Sequence, residues 1–122
     1  EALQLAVAQN LGNLRIVLDR NNMQVDGNMA TVMPIGDVGA KLRAFGLEVH
    51  EAYAHDIPSL HQSLEDMKKA AGPAVLVSNS EPWRGFSFLE ARWKTNKLHF
   101  VRLDPDERAL LEQEVSQIWQ TT

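Results

Sequence analysis

Polar side chains follow three apolar runs of this sequence, at the points where each run ends. They are Asp19, Asn21 and Gln24 after the first run, His55 and Asp56 after the second, and Ser78, Asn79 and Ser80 after the third. Carboxylate and amide oxygens are the ligands that a hard cation such as Mg²⁺ accepts, so the first group is a candidate metal site. A histidine beside an aspartate is a candidate catalytic pair.

Each of these groups also has a structural explanation. Asp and Asn directly after a strand commonly form turns by bonding nearby backbone groups. Asp56 can cap the helix that follows it and favour the positive end of that helix. Residues 83–86, Trp-Arg-Gly-Phe, form either a stacking site for a ligand or an aromatic loop packed on the domain. No glycine-rich phosphate loop, nucleophile elbow or His-Glu-x-x-His motif is present.

The predicted helices and strands around these residues alternate along the chain. Helical spacing and capping residues predict helices over residues 1–11, 37–45, 57–69 and from 105 onward. Short apolar or alternating runs predict strands over residues 14–18, 47–52 and 74–77, the first and last of them buried. This alternation indicates a three-layer α/β/α fold with a mostly parallel sheet, whose ligands bind beyond the carboxyl ends of the strands.

The connecting segments carry more local predictions. Gly12 is expected to end the first helix, and Asp26 with Gly27 to form a tight turn between short extended pieces in residues 23–33. A loop is predicted from Ser78 to about residue 90, and residues 98–103 fit either a strand or a packed loop. Asp104 and Glu107 have the spacing of a capping box.

Composition places the chain among ordinary globular domains. Its 122 residues are 44% hydrophobic and 23% charged, with no cysteine, and are expected to form a single domain over residues 1–122. Twelve basic against sixteen acidic residues give a net charge of −4, without a basic cluster for nucleic acid. No apolar run is long enough for a membrane span, and no basic signal-peptide region starts the sequence. We therefore expect a cytoplasmic protein.

Taken in order, the same loops resemble the N-terminal thiamine-diphosphate-binding domain of transketolases. Residues 19–27, Asp-Arg-Asn-Asn-Met-Gln-Val-Asp-Gly, are similar to the family's Asp-x-Asn-x-x-Gln-x-Asp-Gly. Residues 54–56, Ala-His-Asp, parallel its Gly-His-Asp turn, and residues 85–90, Gly-Phe-Ser-Phe-Leu-Glu, parallel its Gly-x-Ser-Phe-Met-Glu. Each motif is weak alone, but their order and spacing are specific over residues 1–90.

The resemblance implies two ligands of the cofactor complex in the first loop. In the family, Mg²⁺ joins the cofactor diphosphate to an Asp of an upstream Gly-Asp-Gly, an Asn side chain and a backbone carbonyl two residues later. Carried over, the Asn is Asn21 and the carbonyl belongs to Met23. The family also has a Trp-His-Gly segment whose His contacts the diphosphate. Here Trp93 is followed by Lys and Thr, and His99 is the nearby substitute.

Several family features lie outside this sequence or differ in it. The Gly-Asp-Gly is expected about ten residues before Glu1, so the principal magnesium carboxylate is missing from the chain. The pyrimidine-binding domain, whose glutamate activates the cofactor, is also outside it. The family's Lys-Gly-x-Gly is replaced by Pro-Trp-Arg-Gly at residues 82–85. In the family the cofactor lies between two domains that different subunits contribute.

The resemblance therefore implies a transketolase-like domain that binds the Mg-diphosphate end of thiamine diphosphate for two-carbon ketol transfer between sugar phosphates. Alone it is expected to be inactive. The partner is expected to be another copy of the chain, as in a dimer, or a second chain carrying the pyrimidine-binding domain. The alternative hypothesis is a degenerate, non-catalytic transketolase-like scaffold or protein-interaction domain. An unrelated α/β phosphate-binding domain is disfavoured by the ordered motifs.

Overall fold

Helices and strands alternate along the chain in a computed structural model that describes residues 1–25, 27–99 and 102–120. The elements are α1 Ala2–Ala8, β1 Arg15–Arg20, β2 Met23–Gln24, β3 Gly27–Asn28, α2 Met29–Val32, α3 Val38–Ala44, β4 Glu48–Tyr53, α4 Ile57–Lys68, β5 Ala74–Asn79, α5 Ser87–Lys94 and α6 Pro105–Gln120. They fall into two compact units. The first unit comprises Glu1–Asn22 and Met33–Glu81, and the second comprises Met23–Val32 and the described residues from Pro82 onward.

The first unit contains a three-stranded parallel sheet in the order β1-β5-β4. Arg15, Ala74 and Glu48 lie side by side at one edge, so all three strands end together at the opposite edge. The central strand β5 is buried, with Val75, Leu76 and Val77 each 1% exposed. Its prediction as a buried strand is confirmed.

Strand β1 is parallel, as predicted, but the prediction that it is buried is wrong. Val17 is 60% exposed and Leu18 is 37% exposed. Both neighbour buried residues of β5, yet among the described residues β1 pairs with β5 alone and forms an edge of the sheet. An apolar run shows that a strand is suited to burial, and strand order decides how much burial it receives.

Helices cover both faces of the sheet. Helix α4 packs on one face, where Met67 and Leu60 contact Ala52, Ala74 and Leu76. Helix α3 meets the other face, since its Arg43 pairs at 2.9 Å with Glu51, the residue before Ala52 in β4. Successive strand residues point to opposite faces, so the predicted three-layer α/β/α arrangement is confirmed.

Aspartate caps begin two of these helices, as the sequence predicts. Asp37 accepts the backbone N–H of Ala40 at 2.8 Å, and Asp56 accepts that of Ser59 at 3.2 Å. The end of α1 was predicted wrongly, because the helix stops at Ala8 and Asn10, not Gly12, has a positive φ of 46°. Gly12 is needed for close packing instead, since a Cβ there would lie 2.7 Å from the Ala71 carbonyl oxygen.

The second unit contains an antiparallel β2–β3 ladder, helix α2 and helices α5 and α6. The predicted loop from Ser78 is wrong at both ends, since β5 continues to Asn79 and α5 begins at Ser87. Phe86 precedes α5 and has no capping side chain, so the Glu114 carboxylate of α6 accepts the Ser87 N–H at 3.3 Å. A cap supplied from 27 residues away leaves no local sequence pattern.

Helix α6 begins as predicted. Asp104 Oδ1 accepts the Glu107 N–H at 2.9 Å, and Glu107 Oε2 accepts the Asp104 N–H at 3.2 Å, which completes the capping box. No described residue of α6 is buried, and Trp119 is 78% exposed. The predicted turn at Asp26 and the middle of segment 98–103 lie outside the described residues.

Candidate functional site

The carboxyl edge of the parallel sheet brings together three of the candidate side chains in the first unit. The Ser80 hydroxyl donates to Asp19 Oδ1, and Asn21 Nδ2 donates to Asp19 Oδ2 at 3.2 Å. Strand register explains this arrangement, because β1 and β5 run side by side and the Ser80 N–H donates to the Arg20 carbonyl at 3.1 Å. Of the predicted cation group, Asp19 and Asn21 therefore lie together, whereas Gln24 belongs to β2 in the second unit.

A second polar contact crosses the same edge from β1 to β4. Arg20 Nη1 donates to Asn79 Oδ1 at 3.3 Å, and Asn79 Nδ2 donates to the Ala52 carbonyl at 3.5 Å. Arg20 Nε is buried and has no hydrogen-bond partner among the described residues. Asn79 therefore links all three strand ends, which holds the edge together beside Asp19.

The end of β4 carries a cluster of Tyr53, His55 and Glu81. The Tyr53 hydroxyl donates to Glu81 Oε2 at 2.7 Å, and the Glu81 N–H donates to His55 Nε2 at 3.0 Å. The rings of Tyr53 and His55 meet edge to face at 5.3 Å. Asp56 caps α4, and His55 accepts the Glu81 N–H. The prediction that Asp56 is a helix cap is therefore confirmed.

Tyr53 and Glu81 were not predicted as members of this edge. Tyr53 is the last residue of β4, and Glu81 follows the end of β5. The predicted sheet therefore indicated that both lie at its carboxyl edge. Their contact depends on β4 and β5 being neighbours in register, with Tyr53 beside Asn79. A one-residue shift of either strand would have pointed one of these side chains away.

The predicted site residues are divided between the two units. Asn21 lies in the first unit, directly after β1, while Met23 and His99 lie in the second. Met23 belongs to β2 and is paired with Asn28 of β3. His99 is exposed and follows α5. That Asn21, Met23 and His99 share one cofactor remains a prediction.

The loop before α5 is an aromatic contact within the second unit. Trp83 stacks on Trp93 with ring centroids 4.0 Å apart and an angle of 27° between the planes. The Phe86 N–H donates to the Trp83 carbonyl at 3.1 Å, and Gly85 has a φ of +92°, which favours glycine. Of the two explanations of residues 83–86, the structure therefore supports the packed aromatic loop.

Comparison with known protein families identifies the family of this chain. The family described as transketolase, thiamine diphosphate binding domain, matches residues 1–116 of the chain. The chain belongs to this family. The parallel β1-β5-β4 sheet with helices on both faces agrees with the transketolase fold.

Two curated relatives of this transketolase-family chain show how much of a longer protein it matches. One subunit of the apulose-4-phosphate transketolase of Actinobacillus succinogenes is 35% identical over 92 residues, which are 75% of this chain and 33% of that protein. Transketolase of Rhodobacter capsulatus is 36% identical over 76 residues, 62% of this chain and 11% of that protein. The chain spans about a third or less of the length of these relatives.

Solved transketolase structures share the fold. The enzyme from Campylobacter jejuni matches with a TM-score of 0.77 and 24% identity, over 93% of this chain and 17% of that one. A transketolase from Pichia stipitis, a variant in complex with fructose 6-phosphate, matches with a TM-score of 0.64 and 18% identity, over 98% of this chain and 21% of that one. At these identities the likeness shows the fold alone.

The side chains of Asp19 and Asn21 in this transketolase-family chain fit a cation that takes only a few of its ligands from the protein. Across residues 1–25, 27–99 and 102–120, no group of three or more His, Cys, Asp or Glu side chains is placed to hold a metal ion. Mg²⁺ usually keeps several waters and takes one or two protein ligands together with substrate phosphates. The amide of Asn21, held beside the Asp19 carboxylate, suits that mode of binding.

Arg92 of α5 forms an ion pair with Glu107 of α6. Arg92 Nε and Nη2 meet Glu107 Oε1 and Oε2 at 2.7 and 2.5 Å. The hydrogen bond from Arg92 lowers the pKa of Glu107, and the hydrogen bond to Glu107 raises the pKa of Arg92. An open cavity of about 430 Å³ adjoins this pair and is lined by Phe88 and Thr95.

No helix in the described part of the chain is long and apolar enough to cross a membrane.

Proposed function

We propose that this chain binds the magnesium-diphosphate end of thiamine diphosphate within a transketolase assembly, as one domain over residues 1–122. The observation that carries the proposal is the placement of Asn21. The resemblance of residues 19–27 to the family motif assigns Asn21 the place of the metal-binding Asn, and its amide donates to Asp19 at the carboxyl edge of the sheet. Ligands of α/β proteins bind at that edge.

Three residues are assigned roles in this proposal. Asn21 supplies its side-chain oxygen and Met23 its backbone carbonyl oxygen to Mg²⁺, which prefers oxygen ligands. His99 contacts the diphosphate through a ring N–H. Together they would fix the charged end of the cofactor and leave its reactive ring to be bound elsewhere. Thiamine diphosphate, when bound, supplies the carbanion stabilisation needed for two-carbon ketol transfer between sugar phosphates.

The assembly is part of the proposal. The relative from Actinobacillus succinogenes is named as one subunit of a transketolase, which supports a second chain as the partner here; a homo-oligomer such as a dimer is the alternative. The partner would carry the pyrimidine-binding domain and the glutamate that activates the cofactor. The isolated chain is therefore inactive, and acts as a transferase only in the assembly. Its cytoplasmic location stays a prediction from the sequence.

The decisive experiment is calorimetric titration of the full chain with thiamine diphosphate and Mg²⁺, with and without a partner carrying the pyrimidine-binding domain. We expect magnesium-dependent binding that Asn21→Ala weakens by at least about tenfold. Asn13→Ala, an exposed asparagine before β1, is the matched control and should bind like the wild type. Absence of binding by the wild-type chain in both arrangements would refute the proposal.

A non-catalytic scaffold is the second candidate, and the exposed edge of the sheet favours it. Val17 and Leu18 of β1 are 60% and 37% exposed, and such apolar surface on a sheet edge commonly marks an interface. In addition, Pro82 and Trp83 stand where the family has Lys and Gly. Sedimentation analysis of the chain distinguishes this candidate, since a clean monomer that still binds Mg²⁺ and thiamine diphosphate would count against it.

A further inference from the structure

The Asp19 carboxylate lies between the side chains of Ser80 and Asn21 at the carboxyl edge of the sheet. One oxygen accepts the Ser80 hydroxyl hydrogen, and the other accepts a hydrogen from Asn21 Nδ2 at 3.2 Å. Ser80 is itself held by its N–H, which donates to the Arg20 carbonyl at 3.1 Å. The three side chains therefore form a short hydrogen-bonded chain that runs from Ser80 through Asp19 to Asn21.

The chemistry of Asp19 determines which way the Asn21 amide faces. An ionised carboxylate accepts hydrogen bonds and donates none. Only the nitrogen of the Asn21 amide can therefore face Asp19, and the amide oxygen is directed away from it. Rotation about the last side-chain torsion of asparagine exchanges these two atoms, and that torsion has a broad, roughly two-fold preference. The hydrogen bond to Asp19 favours one of these two orientations.

We propose that Asp19 is a positioning residue for magnesium binding, with Ser80 as its support. The inference rests on the proposed function, in which Asn21 binds Mg²⁺ through its amide oxygen. The hydrogen bond to Asp19 favours the orientation in which the amide oxygen faces away from the carboxylate, and the Ser80 hydroxyl holds the carboxylate in place. Partners that orient a metal ligand typically change metal affinity by about 10–100-fold when they are removed.

Two substitutions of Asp19 separate orientation from charge. Asp19→Ala removes the acceptor, and we expect magnesium-dependent binding of thiamine diphosphate to weaken by about 10–100-fold. Asp19→Asn removes the charge but keeps an oxygen for the Asn21 N–H and an N–H for the Ser80 oxygen. Its affinity should stay within about threefold of the wild type, well short of the loss expected when a partner is removed. Calorimetry of the full chain with Mg²⁺ and thiamine diphosphate measures both, with the partner added if the isolated chain needs it.

Substitutions of Ser80 and a matched control complete the design. Ser80→Ala should weaken binding less than Asp19→Ala does, and Ser80→Thr, which retains a hydroxyl, should restore it. The control is Asp66→Ala on α4, because the Asp66 carboxylate also accepts an amide hydrogen, from Gln62 at 2.9 Å. It lies near the C-terminal end of α4, at the other edge of the sheet, and should leave binding unchanged.

A second measurement requires no ligand. The side-chain amide NMR signals of Asn21 in the free chain should move in Asp19→Ala and stay in place in Asp66→Ala. Wild-type affinity in Asp19→Ala, or equal losses in Asp19→Ala and Asp19→Asn, would overturn the inference and leave the proposed function standing. A wild-type chain that binds no Mg²⁺ and thiamine diphosphate, alone or with a partner, would overturn both.

Discussion

The two units of the chain are stabilised by different kinds of interaction. The first unit is built around β5, whose Val75, Leu76 and Val77 are almost fully removed from solvent. In the second unit, Gly27 and Phe88 are the buried residues among those described, and specific polar contacts join α5 to α6. The first unit is therefore stabilised mainly by burial of apolar surface, which requires no charged partner. The ion pair of the second unit depends on pH and on salt. The two units should therefore unfold under different conditions.

Truncation of a buried side chain in the core of the first unit should cost the most stability. Leu76→Ala removes a side chain that is 1% exposed, and should lower the free energy of unfolding by about 2–5 kcal/mol. Leu111→Ala is the matched change in α6, where the leucine is only half-buried, and should cost less than half as much. Urea denaturation followed by far-UV circular dichroism measures both. Equal costs would contradict the contrast between the units.

Acid should loosen the second unit before the first. The hydrogen bond from Arg92 lowers the pKa of Glu107 below 4.5, so its stabilising effect is complete above pH 4.5 and is lost as the pH falls through the lowered pKa. The lysine-paired carboxylates of α4, Glu65 and Asp66, also have lowered pKa values, but exposed pairs on a helix surface stabilise little.

Intrinsic fluorescence separates the two units in this titration. All three tryptophans, Trp83, Trp93 and Trp119, lie in the second unit, and the single tyrosine, Tyr53, lies in the first. We expect the tryptophan signal to change at a higher pH than the tyrosine signal. Glu107→Gln should remove that early change, and Glu112→Gln, an exposed carboxylate on the same helix, should retain it. An unchanged titration in Glu107→Gln would show that this ion pair is not responsible.

Loss of the aromatic stack of the second unit should cost the least stability. Trp83→Leu keeps an apolar side chain but removes the stacking on Trp93. It should lower the free energy of unfolding by about 1 kcal/mol in addition to the effect of the smaller buried area. The near-UV circular dichroism of the stacked indoles should fall with it. Trp119→Leu, at a tryptophan that is 78% exposed, should change neither quantity. If both variants behave alike, the stack does not stabilise the loop.

Local features of the fold could be predicted because their causes lie within a few residues. Asp37, Asp56 and Asp104 each accept a backbone N–H three residues ahead, so the caps are visible in the sequence. The start of α5 could not be predicted, since its cap comes from Glu114. The burial of β1 was predicted wrongly because an apolar run carries no information about strand order.

The candidate site shows the same division. The ordered motifs indicate the family, and the Asp-x-Asn spacing within them singles out Asn21. The match over residues 1–116 confirms the family. The roles of Met23 and His99 remain predictions. Tyr53 and Glu81 were missed because their contact follows from the pairing of β4 with β5.

The alternation of helix and strand, the helix caps and the ordered motifs of a thiamine-diphosphate-binding domain can all be read from the residues in order. The central place of β5, the stacking of Trp83 on Trp93 and the bond from Ser80 to Asp19, 61 residues away, emerge only in the folded chain. The difference is one of range. Backbone preferences and caps act over one helical turn, whereas contacts between distant side chains exist only after strand order and register are set.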